Sequence, residues 1–544
     1  MKKKVVPGIA SVVGASILLT ACGRNKNKAS GAKAKDKAPN KQAINLSSPT
    51  EIPTMDTAHA TDADSTKVMK NIFEGLYRLG EDNKPIPAVA KSHEVSEDKK
   101  KYTFQLRDAK WSNGDPVTAK DFVYAWQRAV DPETAAEYAF IFFDIKNAEK
   151  INKKELPVDQ LGVKAIDDNT LEVELEQPVP YFLNLTAFPT FLPINEKFVK
   201  EQGDKYGLEA NKTVYNGPFI LNDWKHEQSF QLKKNPNYWD KKTVKLEEIN
   251  FNIVKETSTE VNLYETEQFD RVVLTAEFVD KYKKDPNFKE RTKVAIQFLR
   301  MNQKNKVLKN KYARQAINQA MNKKAFVKTI LNNGSVPTDG FIPKNFAKSP
   351  DGKDFRKENG NLIKDDMKAA KEYWKNAKQE LGTEKITLEL LTSDNDFAKK
   401  TGEYLKGQLE KNLQGLTVNI KLQPFKQKLK LESNGDYEIA IDGWRPDYAD
   451  PITFLDLFTT DNPYNLDNYS NKEYDEIIKK VKTNLAGDEK ARWEALQEAE
   501  KILLEDAAIA PLYQQGRSYL QRSYVKGIVT TRLRRSIKLQ MDTN

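Results

Sequence analysis

Cys22 is the only cysteine in the 544 residues, so an intramolecular disulfide and a thiolate metal cluster are both excluded, and its chemistry must follow from where it sits. It closes the segment Leu19-Thr20-Ala21-Cys22 at the end of an uncharged, largely apolar stretch. The three histidines, His59, His93 and His226, are far apart in the chain and none belongs to an H-E-x-x-H arrangement. A zinc or nickel site therefore lacks a donor set, and the histidines read as surface or capping groups. No G-x-G-x-x-G, G-x-x-x-x-G-K-[ST] or G-x-S-x-G occurs, which removes the usual phosphate loops and the nucleophile elbow. Asp and Glu are plentiful, yet no pair separates itself as a catalytic dyad. These residues point away from an enzyme and from a cofactor or metal protein.

The elements around Cys22 give its sulfur a role. Lys2, Lys3 and Lys4 precede the apolar stretch from Val5 to Ala21, which is too short for a membrane span and reads as a signal peptide over residues 1–21. The Leu-x-Ala-Cys ending is that of a lipobox, in which the cysteine sulfur receives a diacylglycerol and becomes the mature N-terminus. Two acyl chains anchor stably where one binds marginally. Residues 23–43, GRNKNKASGAKAKDKAPNKQA, contain no aromatic and no large aliphatic residue and cannot bury enough apolar surface to fold. With Cys22 they form a lipidated, basic tether over 22–43, reaching roughly 70 Å extended and about 25 Å as a coil.

The formal charge of +10 invites a nucleic-acid reading, but nine of those ten net charges lie in Lys2 to Lys4 and in the tether. The body is near neutral, so the basic excess reads as attraction to anionic lipid or wall polymer and no nucleic-acid partner is expected. The RLRRSIK run from Arg532 to Lys538 reads as a solvated face.

About 500 residues remain, too many for one core and suited to two or three domains. Tyr102, Phe104 and Leu106 alternate in strand fashion, as do Leu171, Val173 and Leu175; Ile386, Leu388 and Leu390; and Leu416, Val418, Ile420 and Leu422. Between them lie helical stripes. Thr118-x-x-Asp121 caps a helix carrying Phe122, Ala125, Trp126 and Ala129, and Ser470-x-x-Glu473 reads as a capping box before Tyr474, Ile477, Ile478 and Val481. Ala313, Ala316, Ile317 and Ala320 make a third stripe. Strands and helices interleaved in this way predict an α/β architecture with partly parallel sheets.

Five blocks, in order, carry a resemblance: Met55-Asp56 followed by Asn71-Ile72-Phe73-Glu74-Gly75-Leu76-Tyr77; YTFQLRDAKWSNGDPVTAKDFVYAWQRAVDP from Tyr102 to Pro132; YNGPF at Tyr215 to Phe219; KNPNYWD at Lys234 to Asp240; and GWRPDYADPITFL at Gly443 to Leu455. From Met55 onward the chain resembles the oligopeptide-binding lipoproteins of bacterial ABC importers, within the peptide and nickel class of extracytoplasmic solute-binding proteins. Part of the second block is scaffold on physical grounds: Asn113-Gly114 is a tight-turn dipeptide, and Trp111 and Trp126 are expected in the core. The chain departs from the pattern at Glu267, where the family usually has a glycine, which puts a positive-φ turn in question. Met321-Asn322 replaces a common Ile-Asp pair, and Asn caps a helix equally well.

The resemblance implies a type II periplasmic-binding-protein-like α/β fold, with two large lobes joined by a hinge plus a smaller extra domain. The implied boundaries are 44–81, 206–300 and 514–544 for the first domain, 82–205 for the second, and 301–513 for the third. A peptide would lie between the first and third domains as an added strand, its main chain hydrogen-bonded and its side chains in roomy hydrated pockets. By the same resemblance Asp447 pairs with the peptide's α-amino group. Backbone groups of Gly443 and Arg445 on one side, and of Thr61 and Ala63 on the other, meet the peptide main chain. Tyr138, Trp444 and Tyr513 match pocket positions, and Asn465 is a further candidate. The implied partners are oligopeptides and a membrane-embedded ABC permease with separate ATPase subunits. The protein itself would be a monomer anchored by lipid on the extracytoplasmic face of the cell membrane of a Gram-positive bacterium. Capture of a signalling peptide would use the same site. A relative binding nickel, haem or sugar is disfavoured by the histidine count and by Asp447, and an exported enzyme or adhesin has no positive support.

Replacing Cys22 with Ala should release the body from membranes or leave an uncleaved precursor. Normal cleavage with unchanged, detergent-dependent membrane association would show that the cysteine carries no lipid.

Overall fold

Tyr102, Phe104 and Leu106 are buried along the strand Lys101–Leu106, and alternate residues reach outward, as their spacing predicts. The computed structural model describes residues 42–80, 84–179, 181–338, 340–363 and 365–526, with the strand Gln540–Met541. The predicted signal peptide, Cys22, nearly all of the tether and the basic run at Arg532 lie outside the described residues. The strand Lys101–Leu106 pairs antiparallel with Ala90–Val95 and Thr170–Glu174, and Val163–Asp167 completes a four-stranded sheet. The helix Ala119–Val130 begins with the expected Thr118/Asp121 capping box. Trp111 and Trp126 are fully buried, their indole N–H groups donating to Asp121 and to the Phe191 carbonyl. Together these elements make the small domain.

The two larger lobes share one eleven-stranded sheet. At one end Ala43–Ser48 lies parallel to Glu248–Ile253, which continues antiparallel into Ser229–Lys234 and Phe219–Lys225. At the other, Ile386–Ser393 runs parallel to Leu416–Gln423 and, through two residues, to Ile439–Trp444. Two long antiparallel strands, Phe288–Met301 and Ile509–Gln521, join the ends. Residues 288–292 pair with 516–520 in the first lobe, and 296–300 pair with 509–514 in the third, with a register shift between Thr292 and Ile296. A bulge bends and twists the strand that carries it, so the direction of the sheet changes there. The expected boundaries at 300/301 and 513/514 therefore fall inside continuous strands. The first strand begins at Ala43, one residue inside the segment assigned to the tether.

Local departures have local causes. The helix Lys472–Lys482 is capped by Asn471, whose side chain accepts from the N–H groups of Glu473 and Tyr474. Ser470, the expected cap, is instead hydrogen-bonded to the Thr460 hydroxyl. Asn322 does cap Lys323–Ala325. Glu267 adopts φ +62° and donates its N–H to Tyr264, so the turn is kept without glycine at a cost of about 1 kcal/mol.

Gly516 sits beside the bulge, next to where the short strand Val336–Pro337 pairs antiparallel with Gln514 and Tyr513, and its N–H donates to Ser335 Oγ. A Cβ there would lie 2.0 Å from the Gly334 carbonyl carbon and 2.1 Å from the Ser335 nitrogen, both backbone atoms that no rotamer can move. Gly516→Ala should lower unfolding free energy by about 1 to 3 kcal/mol in urea titrations. Gly407→Ala, in the helix Asp396–Asn412 with open space around it, should raise it by roughly 0.5 to 1 kcal/mol. Equal midpoints for the two variants would refute the close approach.

Candidate functional site

The bulge and the divergence of the lobes leave a cleft of about 440 Å³ beside the two shared strands. Alternate residues of Ile509–Gln521 point into it, namely Tyr513, Gln515 and Arg517, together with Lys293, Ala295 and Gln297 of the partner strand. Thr61 and Ala63 line it from the first lobe, at the start of the helix Ala63–Ile72. Gly443, Trp444 and Arg445 line it from the third. Tyr138 reaches it from the small domain, its ring 6.1 Å from Trp444 and 5.5 Å from Tyr464. Tyr181 of the small domain stacks on Tyr448 at 4.3 Å and 8°, so the small domain and the third lobe are in contact beside the cleft.

Two of the residues singled out by sequence are not among those that line the cleft. Asp447 is 3% exposed, and its N–H donates to Thr453 Oγ1 in the loop before the helix Ile452–Leu455. Asn465 is used within its own loop: its amide donates to the carbonyls of Thr459 and Tyr469, and its oxygen accepts from the Tyr469 N–H. Its neighbour Tyr464 lines the cleft instead.

The wall is built to pair with a polar chain. The strand Ile439–Trp444 pairs with Phe288–Met301 along its whole length, but its parallel neighbour Ile386–Ser393 accompanies it only at Ile439 and Ala440. From Ile441 to Arg445 that second edge opens on the cleft. On it the Gly443 N–H donates to Asp442 Oδ1 at 2.8 Å. Buried polar atoms with no hydrogen-bond partner gather on lining residues: Trp444 Nε1, Arg445 Nε, Arg271 Nε and Asp62 Oδ2. Three donors and an acceptor left so are costly, and a ligand carrying carbonyls and an N–H satisfies both kinds.

The charges divide into paired and unpaired. Arg300, 0% exposed, donates Nε to Asp442 and Nη1 to Asp467, each at 2.5 Å. Burial pushes the Asp442 carboxyl up, but Arg300 and Lys428 outweigh it and hold it below its ordinary value. Asp467 is pushed up to about 6 by burial, which Arg300 opposes only in part. Lys428 pairs with Glu432, whose carboxyl burial raises to about 7. Arg271, Arg445 and Arg517 also line the cleft. Burial lowers all three, and Arg517 lowers Arg445 further, to about 10. Sequence reading passed over Arg271 and Arg517, because a charged residue in a strand ordinarily marks a solvated face. The period-two run Tyr513, Gln515, Arg517 was the available signal. Among the described residues no group of three or more His, Cys, Asp or Glu is placed to hold a metal ion.

Residues 84–465 match the bacterial extracellular solute-binding proteins, family 5 Middle. The chain is 35% identical to a dipeptide-binding protein, DppE, of Bacillus subtilis, over 96% of each chain. It superposes on the substrate-binding domain of an oligopeptide ABC transporter from Bacillus anthracis with TM-score 0.90 and 57% identity, covering 92% of this chain and 98% of that one. On the Listeria monocytogenes OppA bound to peptide the TM-score is 0.89 and the identity 41%, over 93% and 100% of the two chains.

Glu260, on the helix Thr257–Glu265, lines the cleft and is 7% exposed. Burial raises its carboxyl from 4.5 to about 7, although the Ser47 hydroxyl, Arg517 and Lys67 pull the other way. The folded protein thus holds this proton more tightly than the unfolded chain. The stability it contributes is complete below about pH 4.5 and lost as pH rises through about 7. Glu260→Gln does not titrate, so its stability relative to wild type should climb across that window by up to about 3 kcal/mol. Parallel pH profiles in chemical denaturation would refute the assignment.

Proposed function

The chain belongs to the bacterial extracellular solute-binding proteins of family 5, and from that premise we propose that it captures oligopeptides outside the cell and delivers them to an ABC importer. The observation that carries this reading is the unpaired strand edge from Ile441 to Arg445, which opens on the cleft opposite Thr61 and Ala63. An extended peptide adds to such an edge by main-chain hydrogen bonds, which bind peptides whatever their side chains. The orphaned polar atoms of the wall supply donors and an acceptor for the same ligand. The relatives are a dipeptide-binding protein and a peptide-bound OppA, and both support this choice of solute.

In this scheme the lobes bend at the bulge to enclose the peptide, and the permease, with its own ATPase subunits, reads the closed form. Cys22 carries the lipid that holds a monomeric body at the outer face of the membrane through the basic tether. In this reading the peptide is carried and released unaltered. Asp447, buried in the loop that follows the open edge, takes the peptide's α-amino group. A carboxylate so placed defines one end of ligands whose side chains vary.

Asp447→Asn should weaken binding of a free-amine peptide by about 2 to 5 kcal/mol, roughly 30-fold to several thousand-fold. N-terminal acetylation of the peptide should cost wild type a similar amount and the variant little more, since both changes remove one interaction. Calorimetric titration of both proteins with both peptides completes the cycle. Simple addition of the two losses, or normal binding by Asp447→Asn, would overturn the amino-end assignment while leaving peptide capture itself to stand on the other titrations.

A further inference from the structure

The cations of the cleft are not equally satisfied. Lys428 is paired with Glu432, and Lys255 with Asp394 at 2.7 Å. Arg271 lies over the Tyr519 ring at 3.9 Å. Arg445 and Arg517 differ. Both line the cavity, yet among the described residues neither guanidinium has a carboxylate within 4.0 Å or donates a hydrogen bond, and Arg445 Nε is buried without a partner. The anion that attracts both at longer range, Asp64, already accepts from the Thr50 hydroxyl at 3.0 Å, and Glu260, which attracts Arg517 alone, has its carboxyl raised to about 7 by burial.

Their placement on the fold gives this a consequence. Arg445 follows the strand Ile439–Trp444 of the third lobe. Arg517 stands on the part of the shared strand that pairs with Arg291 in the first lobe, beyond the bulge. Bringing the lobes together therefore brings two like charges together in a partly desolvated space, which opposes closure unless an anion lies between them. A guanidinium is the group best suited to hold a carboxylate there, because its planar fork of donors matches the two oxygens.

We infer that Arg445 and Arg517 form a carboxylate subsite in the cleft, so that the preferred ligands are peptides bearing a carboxylate near their amino end. The inference rests on the peptide-binding reading and narrows it. Main-chain pairing remains indifferent to sequence, and this one position does not. Arg445 precedes Asp447 by two residues, at most about 7 Å of chain. With the α-amino group held by Asp447, the carboxylate belongs to an acidic side chain at the first residues or to the α-carboxylate of a very short peptide.

The test compares acid and neutral ligands within each protein. Ala-Glu-Ala against Ala-Gln-Ala isolates a side-chain carboxylate, and Ala-Ala against Ala-Ala-amide isolates the terminal one. Wild type should prefer the acid by roughly tenfold or more in at least one pair, and which pair it is identifies the source. R445Q and R517Q should bring that ratio close to one, while R445K and R517K, which keep the charge, should retain part of it. The ratio within each protein is the readout, so a general loss of affinity does not imitate the effect. Equal affinities within both pairs for wild type, or an undiminished ratio in R445Q and R517Q, would overturn the subsite while peptide capture stands. Failure of all four peptides to bind wild type would instead remove the peptide reading and the subsite with it.

Discussion

Two strands that belong to both lobes govern this molecule. Phe288–Met301 and Ile509–Gln521 are hydrogen-bonded to each other on either side of a register shift, and each half is also paired into a different lobe. The lobes cannot separate without breaking a continuous ladder, whereas bending at the irregularity between Thr292 and Ile296 breaks none. Gln297, Tyr513 and Arg517 lie on both sides of that irregularity and also line the cavity. Any change of angle between the lobes is thus felt first by the residues that line the cleft. Gly516 fits the same logic, since the backbone of Gly334 and Ser335 packs directly against it at the point of bending.

Charge serves two purposes that the geometry keeps apart. Arg356 and Glu500 are fully buried and doubly hydrogen-bonded, and Glu500 also accepts from the N–H groups of Phe341 and Ile342 and from Asn359. Arg300 is held in the same way between Asp442 and Asp467. These ion pairs brace the third lobe, although Arg300 Nη2 and Arg356 Nε are left without a hydrogen-bond partner, and their value is a defined arrangement more than net stability. Arg445 and Arg517 are half-buried in the wall of the cleft, and among the described residues neither has a carboxylate partner.

Much of this was legible in the residues, for reasons that also explain what was not. Period-two alternation located the strands at Tyr102, Leu171, Ile386 and Leu416, because one face of each is buried. The interleaving of strands and helices gave the class. The shared strands were invisible, since alternation says nothing about partners, and residues 288–292, FKERT, are largely exposed and carry no apolar rhythm. Ser470 and Asn471 are both able caps, and the choice was made by Thr460, ten residues upstream, which holds Ser470. The resemblance led to Gly443, Trp444 and Arg445, all in the wall, but an Asn-rich loop hides register, and Tyr464, one residue before Asn465, is the side chain that reaches the cleft. Arg517 was missed because a charged residue in a strand ordinarily marks a solvated face, and only the fold turns that face toward the cleft.

The paired charges and the open edge meet at Asp442. One of its oxygens is held by Arg300 and the other accepts the Gly443 N–H, the group that an added strand would need. In the proposed strand addition a peptide carbonyl at Gly443 would have to displace a carboxylate oxygen, and stranding that oxygen in a buried wall would ordinarily cost more than the new bond contributes. Here the displaced carboxylate keeps its bond to Arg300, and Lys428 continues to favour its charged form. The exchange replaces one satisfied arrangement by another. Glycine leaves room for the Gln297 side chain at this point. A Cβ at 443 would lie 1.9 Å from Gln297 Nε2, whose side chain lies across the strand at that residue. The arginine network behind the wall, the glycine on the edge and the glutamine from the shared strand are therefore one device, which keeps a main-chain donor satisfied and still available to a ligand.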